Sequence, residues 1–165
     1  ALRLTTHPGA DYSATWSPNG QWIAFLREAD LPGTVQGRME LIAIPALGGK
    51  EIPLGTFYEQ RLLVRTRNLA WHPNSQFLLL AASLEPGGPL HLHRIDFAAR
   101  QATVLARHQR AGGGYVAPSV SPDGKQVLAT EVSDQRRIRI WPFQSDSQLG
   151  EPRYLDTGGA VPRLA

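Results

Sequence analysis

The chain has 165 residues, 42% of them hydrophobic and 19% charged, with a formal net charge of +3; this balance suits a globular domain and excludes a disordered one. It holds no cysteine, which excludes disulfides, thiol catalysis and cysteine metal sites, and no apolar run approaches the ~20 residues of a membrane span. Sixteen glycines and 13 prolines predict frequent turns and few long helices, and without a dense block of like charge the sequence only weakly suggests nucleic acid or an anionic membrane surface.

One motif recurs along the chain. Trp16-Ser17-Pro18-Asn19-Gly20 precedes the apolar stretch Trp22–Leu26, Trp71-His72-Pro73-Asn74-Ser75 precedes Phe77–Ala82, and Val120-Ser121-Pro122-Asp123-Gly124 precedes Val127–Ala129. The three prolines lie 55 and 49 residues apart. Proline presets φ for the second position of a tight turn, Asn or Asp bonds its own backbone there, and Gly supplies positive φ without steric cost. Each unit therefore reads strand, turn, strand, with Ser75 in the place where glycine is cheapest.

The first unit, 13–55, continues through an exposed loop at 30–38 to a strand at Met39–Ile44. The turn Leu47-Gly48-Gly49-Lys50 follows, then a short strand at Glu51–Leu54. A link carrying Arg61, Arg65 and Arg67 leads into the second unit, 68–106, with later strands at Leu90–Ile95 and Ala102–Leu105. Gly112-Gly113-Gly114 reads as a flexible connection to the third unit, 117–156, which adds strands at Ile138–Trp141 and Arg153–Leu155. The strand after each turn is nearly continuous in apolar residues, so both of its faces are covered; the third strands alternate more. Four antiparallel strands per ~50-residue unit, apolar on both inner faces, call for radial stacking against neighbours. The expected fold is all-β, a β-propeller segment of about three four-stranded antiparallel blades plus partial flanking strands. An ordinary sandwich ranks lower because it needs no repeated turn motif.

The unit Trp-Ser-Pro-Asn/Asp-Gly-x-x-Ile-Ala-Phe, followed by a strand ending in a Gly-Gly turn, resembles the TolB-like, WD-like propeller repeat. His72, Ser75 and Val120 depart from that pattern. By the same resemblance, 1–5 matches the last strand of a preceding blade and 160–165 the start of a following one. The family includes periplasmic TolB, peptidase-associated propellers, a polysaccharide lyase, and propellers fused to bacterial winged-helix regulators or kinases; residues 4–13 and 44–49 look most like the regulator-fused set. The resemblance implies a non-catalytic binding or sensing module and leans toward a periplasmic or extracytoplasmic setting, with a lyase or peptidase-associated propeller as the alternative. Three blades leave two blade faces open. The ends therefore suggest a piece of a longer propeller, with two copies closing one ring as the alternative.

The residues themselves offer little for catalysis. Ser17 and Ser121 precede turn prolines and read as turn residues, and no Gly-x-Ser-x-Gly elbow occurs. His91 and His93 share a strand face, which is two ligands where zinc takes three or four; they read as side chains directed to solvent, and His72 as a local structural residue. No catalytic residue, metal site or cofactor is expected. The binding candidates are Tyr12, Arg61, Arg65 and Arg67, in the segments leading into blades one and two, where a propeller's central funnel opens. The expected partner is a protein or small ligand, with self-association through the exposed blade faces; neither nucleic acid nor a membrane is expected to be contacted.

Overall fold

In the computed structural model the described residues are 3–29, 37–59, 67–110 and 112–155. They form three antiparallel sheets and, among them, no helix. The first sheet holds β1 (Asp11–Trp16), β2 (Trp22–Glu28), β3 (Arg38–Pro45) and β4 (Ile52–Tyr58), paired in that order. The second holds β5 (Leu69–Trp71), β6 (Phe77–Ala82), β7 (His91–Asp96) and β8 (Gln101–Ala106). The third holds β9 (Gly114–Val120), β10 (Gln126–Val132) and the long β11 (Arg136–Ser145). Its fourth place is shared by two short strands on β11, β12 (Gln148–Leu149) and β13 (Arg153–Tyr154). This is the expected all-β blade architecture, and the ring is not closed.

The blades stack face to face. From blade one, Ala24, Leu26, Met39, Leu41 and Phe57 meet Trp71, Leu78, Leu80 and Ile95 of blade two in one core. Phe77, Leu79 and Leu92, on the opposite face of blade two, meet Tyr115, Val127, Ala129 and Trp141 of blade three in another. All six residues of β6 are buried, which is the reason its sequence shows no alternation: a strand between two neighbours has no wet side. The first strands of the three sheets lie side by side around the axis. Trp71 Nε1 donates to the Thr15 carbonyl at 3.4 Å and the Ala117 amide donates to Asn68 Oδ1 at 3.4 Å.

The repeated turns form as the sequence predicts. In blade one Ser17 Oγ donates to Asn19 Oδ1 at 2.7 Å and accepts from the Trp22 amide at 2.9 Å. In blade three Ser121 Oγ donates to Asp123 Oδ1 at 2.6 Å and accepts from the Gln126 amide at 2.9 Å. Both serines are thus consumed in holding a turn.

The two departures in blade two bind the blades together. Ser75 sits at φ 62°, the conformation Gly20 and Gly124 take at 70° and 72°. Its Oγ accepts the Asn19 amide of blade one at 3.1 Å. His72 accepts the Asn74 amide on Nδ1 at 3.3 Å and donates from Nε2 to the Gly124 carbonyl of blade three at 3.1 Å. A Cβ at Gly124 would stand 2.9 Å from that imidazole, so glycine is required there by close approach as well as by φ. The His72 ring also stacks on Phe77, with centroids 4.3 Å apart. Restoring the repeat consensus with His72→Ser is expected to lower stability by about 1–2 kcal/mol, since it removes one hydrogen bond and one ring stack. Urea denaturation checks this; an unchanged midpoint would refute the stapling role.

Within the run Gly112–Gly114, read as a flexible connection, Gly113 and Gly114 are close-packed instead, while Gly112 has open space beside it. Leu90 donates its amide to the Gly113 carbonyl at 3.1 Å and accepts the Tyr115 amide at 2.9 Å. A Cβ at Gly113 would fall 2.7 Å from the Val132 carbonyl oxygen. The glycines let backbone meet backbone where blade two hands over to blade three. Residues 3–5 carry no strand, although Leu4 packs against Phe25, Ile42 and Ile44 on the outer face of blade one.

Candidate functional site

Each sheet ends at its inner strand, so β1, β5 and β9 turn toward the axis an edge that no further strand of their own sheet pairs. Between them lies a cavity of about 440 Å³. Ser13–Trp16, Leu69–Trp71 and Ala117–Val120 supply its walls, and among the described residues Arg67 is the one ionic side chain lining it. Two of these strands are bulged: the β1–β2 register shifts between Tyr12 and Thr15, and the β9–β10 register shifts likewise. Ser13 and Ala117, each five residues before its turn proline, take φ of 53° and 50° at these bulges. Left-handed non-glycine residues at equivalent places in two blades re-aim the backbone toward the cavity, and they store strain there.

The four expected binding residues part company. Arg67 is exposed at the cavity. Tyr12 is not: its hydroxyl donates to Met39 Sδ at 3.7 Å, and the ring packs into the core between blades one and two. The two share a position in the repeat, but β1 carries Tyr12 inward against the neighbouring blade. Arg61 and Arg65 lie outside the described residues. No group of three or more His, Cys, Asp or Glu among the described residues is arranged to hold a metal, and no helix among them is long and apolar enough to cross a membrane.

The histidine pair departs from the solvent-facing expectation. His93 is 0% exposed, because β7 turns that face onto blade one, where the ring lies 5.8 Å from Phe57. Its Nε2 donates to the Ala82 carbonyl at 3.0 Å, and Nδ1 has no hydrogen-bond partner. Burial holds its pKa down to about 4, against a smaller upward pull from that carbonyl. His91 beside it, with ring centroids 6.1 Å apart, is also lowered, first by burial and then by the Arg107 charge.

Two polar clusters escape a reading by composition. Arg27, 3% exposed, lies over the Phe25 ring and bonds Asp11 at 2.7 and 3.2 Å and Glu51 at 2.7 and 2.8 Å. Its hydrogen bonds hold the Glu51 carboxyl below the usual range. For Asp11 burial pulls upward, but the bonds from Arg27 and Thr5 outweigh it and the net shift is down. Glu131 stands at the same place in blade three, nine residues after the turn proline. It accepts from Arg139 Nε at 2.8 Å and lies 3.7 Å from His108 Nε2. These groups, with Tyr115 and Arg107, surround a smaller cavity of about 360 Å³ at the rim between blades two and three. The one sequence signal was a charge closing an otherwise apolar strand at equivalent repeat positions.

No protein-family model matches the sequence, and no curated protein matches it. Solved structures do match in shape. TolB from Acinetobacter baumannii superposes with a TM-score of 0.69 at 16% identity, over 94% of this chain and 34% of that one. The fold is that of a TolB-like β-propeller. A structure from a study of two prolyl endopeptidases matches this propeller segment at TM-score 0.62 and 19% identity, over 94% of this chain and 22% of that one. An oligogalacturonate lyase solved with manganese matches at 0.54 and 16%, over 78% and 34%. The propeller segment thus spans about a third or less of the length of each, and what it shares with them is the fold.

Proposed function

We propose that the chain is a non-catalytic recognition module in which the blades form a rigid frame and the axial cavity receives a protein segment or small ligand. The observation that carries this reading is the convergence of three sheet edges on one cavity with the ionic side chain of Arg67 at its wall. A strand edge not covered by another strand suits extended backbone, and a guanidinium pairs with a carboxylate in bidentate geometry. The occupant this favours is an extended segment bearing an acidic residue. Catalysis is disfavoured because Ser17 and Ser121 spend their hydroxyls on turn bonds and His93 spends its Nε2–H on Ala82; none has the nucleophile–base pairing that acyl transfer needs.

Selection of displayed random peptides on the immobilised chain tests the proposal. Enriched peptides are expected to carry Asp or Glu, and Arg67→Glu is expected to weaken them at least about tenfold, or 1.4 kcal/mol. Peptides that bind the Arg67→Glu chain equally well, or turnover of prolyl peptides or oligogalacturonate by the chain, would overturn it.

A further inference from the structure

The smaller rim cavity holds a charge and an acceptor that its own residues leave unused. It lies at the seam of blades two and three. Glu131 follows Val127 and Ala129 on the face of β10 that packs against blade two, Arg139 stands across from Ala129 on the same face, and residues 107–110 close the cavity from the link between the blades. Both walls belong to blade faces that meet each other, so the cavity does not depend on the outward faces of blades one and three.

Among the described residues three guanidiniums line it, those of Arg107, Arg110 and Arg139, against the one carboxylate of Glu131. Arg110 is committed to Asp134, with both side chains in solvent, and Arg139 gives Nε to Glu131 Oε2 at 2.8 Å. Arg107 is exposed and makes no hydrogen bond or ion pair with any described residue. Its charge is felt inside the seam, where it adds to burial in lowering the His91 pKa. Glu131 Oε1 is the second unused group. His108 Nε2 lies 3.7 Å from it, too far for a hydrogen bond, although the two side chains are only 7% and 13% exposed. A carboxylate oxygen drawn out of water is costly unless a donor reaches it. Tyr115 adds a donor: its oxygen accepts from Arg139 Nη1 at 3.5 Å, which leaves the phenolic hydrogen to give.

We propose that this rim cavity binds a small carboxylate that also carries hydroxyl groups. Arg107 pairs with the ligand carboxylate, as a guanidinium does in bidentate geometry. The Tyr115 hydroxyl donates to the same group, and Glu131 Oε1 accepts a ligand hydroxyl. The charge balance sets the class. Surplus guanidinium disfavours an ammonium as the donor to Glu131, the Glu131 carboxylate repels a doubly charged phosphate, and a neutral polyol leaves Arg107 unpaired. The volume of about 360 Å³ falls within the roughly 300–1,000 Å³ of small-molecule pockets. The site is separate from the axial cavity with its Arg67, and the inference is independent of what that cavity receives.

Titration of the chain with gluconate, followed by backbone amide NMR, tests the site without any substitution. The amides of residues 107–110 and Glu131 are expected to shift, and those of Ser13 and Ala117 at the axial cavity to stay in place. Hexanoate (the charge without hydroxyls), glucose (hydroxyls without the charge) and inorganic phosphate are each expected to bind at least about tenfold more weakly. Arg107→Gln, at an exposed position, is expected to weaken gluconate at least about tenfold with unchanged circular dichroism. Arg67→Glu is expected to leave gluconate binding unaltered, which separates a failure here from a failure at the axis. Absence of gluconate binding, equal binding of hexanoate, glucose or phosphate, undiminished binding by Arg107→Gln, a loss in Arg67→Glu, or shifts confined to the axial strands would each overturn the proposal.

Discussion

Trp71→Ala is expected to lower the unfolding free energy by about 3–5 kcal/mol, the usual cost of truncating a buried tryptophan. The melting temperature should fall by roughly 10 °C for a chain of this size. The side chain sits in the core shared by blades one and two, 7% exposed. Phe97 of blade two lies between it and Trp22 of blade one, with ring centroids 5.4 and 5.0 Å away. Truncation therefore leaves a cavity at the seam, strips Phe97 of a partner and frees the Thr15 carbonyl. Trp16→Ala, at the same repeat position, should change fold stability by less than about 0.5 kcal/mol at concentrations where the chain is monomeric, since an exposed ring has little packing to lose. Urea denaturation of the two variants side by side checks the contrast. Equal losses would mean that the seam between blades contributes nothing special to stability.

Acidification from pH 6.5 to pH 4 is expected to cost about 3 kcal/mol of stability through His93 alone. Its folded pKa is about 4, below the ordinary 6.5 of an unfolded histidine, so in that window the unfolded chain binds a proton that the folded chain refuses. Stability from this group is complete above pH 6.5 and is lost as pH falls. The sign follows from geometry: Nε2 already donates to Ala82, so the added proton would go onto Nδ1, which has no acceptor. Asp11, Glu51 and Asp96 all have lowered pKa values, so their contributions are lost as the unfolded carboxyls take up protons, from about pH 5 downward. His93→Gln retains a donor for Ala82 without a titrating group and should flatten the stability profile between pH 6.5 and 5. His91→Gln should flatten it much less, since His91 is only partly buried. Denaturation midpoints across that range decide the matter; an unaltered slope in His93→Gln would remove His93 as the cause.

Of the candidate cavity, the place of Arg67 was legible from the link, because the segment leading into an inner strand runs where the central cavity opens. Tyr12, at the matching position, was not, because whether a side chain turns to the axis or into a seam depends on the next blade. The same holds for Arg27 and Glu131. Each closes a strand that reads as apolar, and only the partners brought by other strands, Asp11 and Glu51 for one and Arg139 for the other, show that the charge is satisfied where it lies.

The sequence by itself determined the all-β blade architecture and the antiparallel strands around each repeated turn. Those depend on local causes: proline and glycine set each turn, and continuous apolar runs require cover on both faces. Only the tertiary structure decided which polar groups lose water. His93 is buried by Phe57 of blade one, and His72 and Ser75 replace the consensus because they reach into neighbouring turns. Trp71 is covered where Trp16 is bare because a blade stands beside the first. Desolvation is set by what lies across a seam, and a single strand's sequence carries no record of its neighbour.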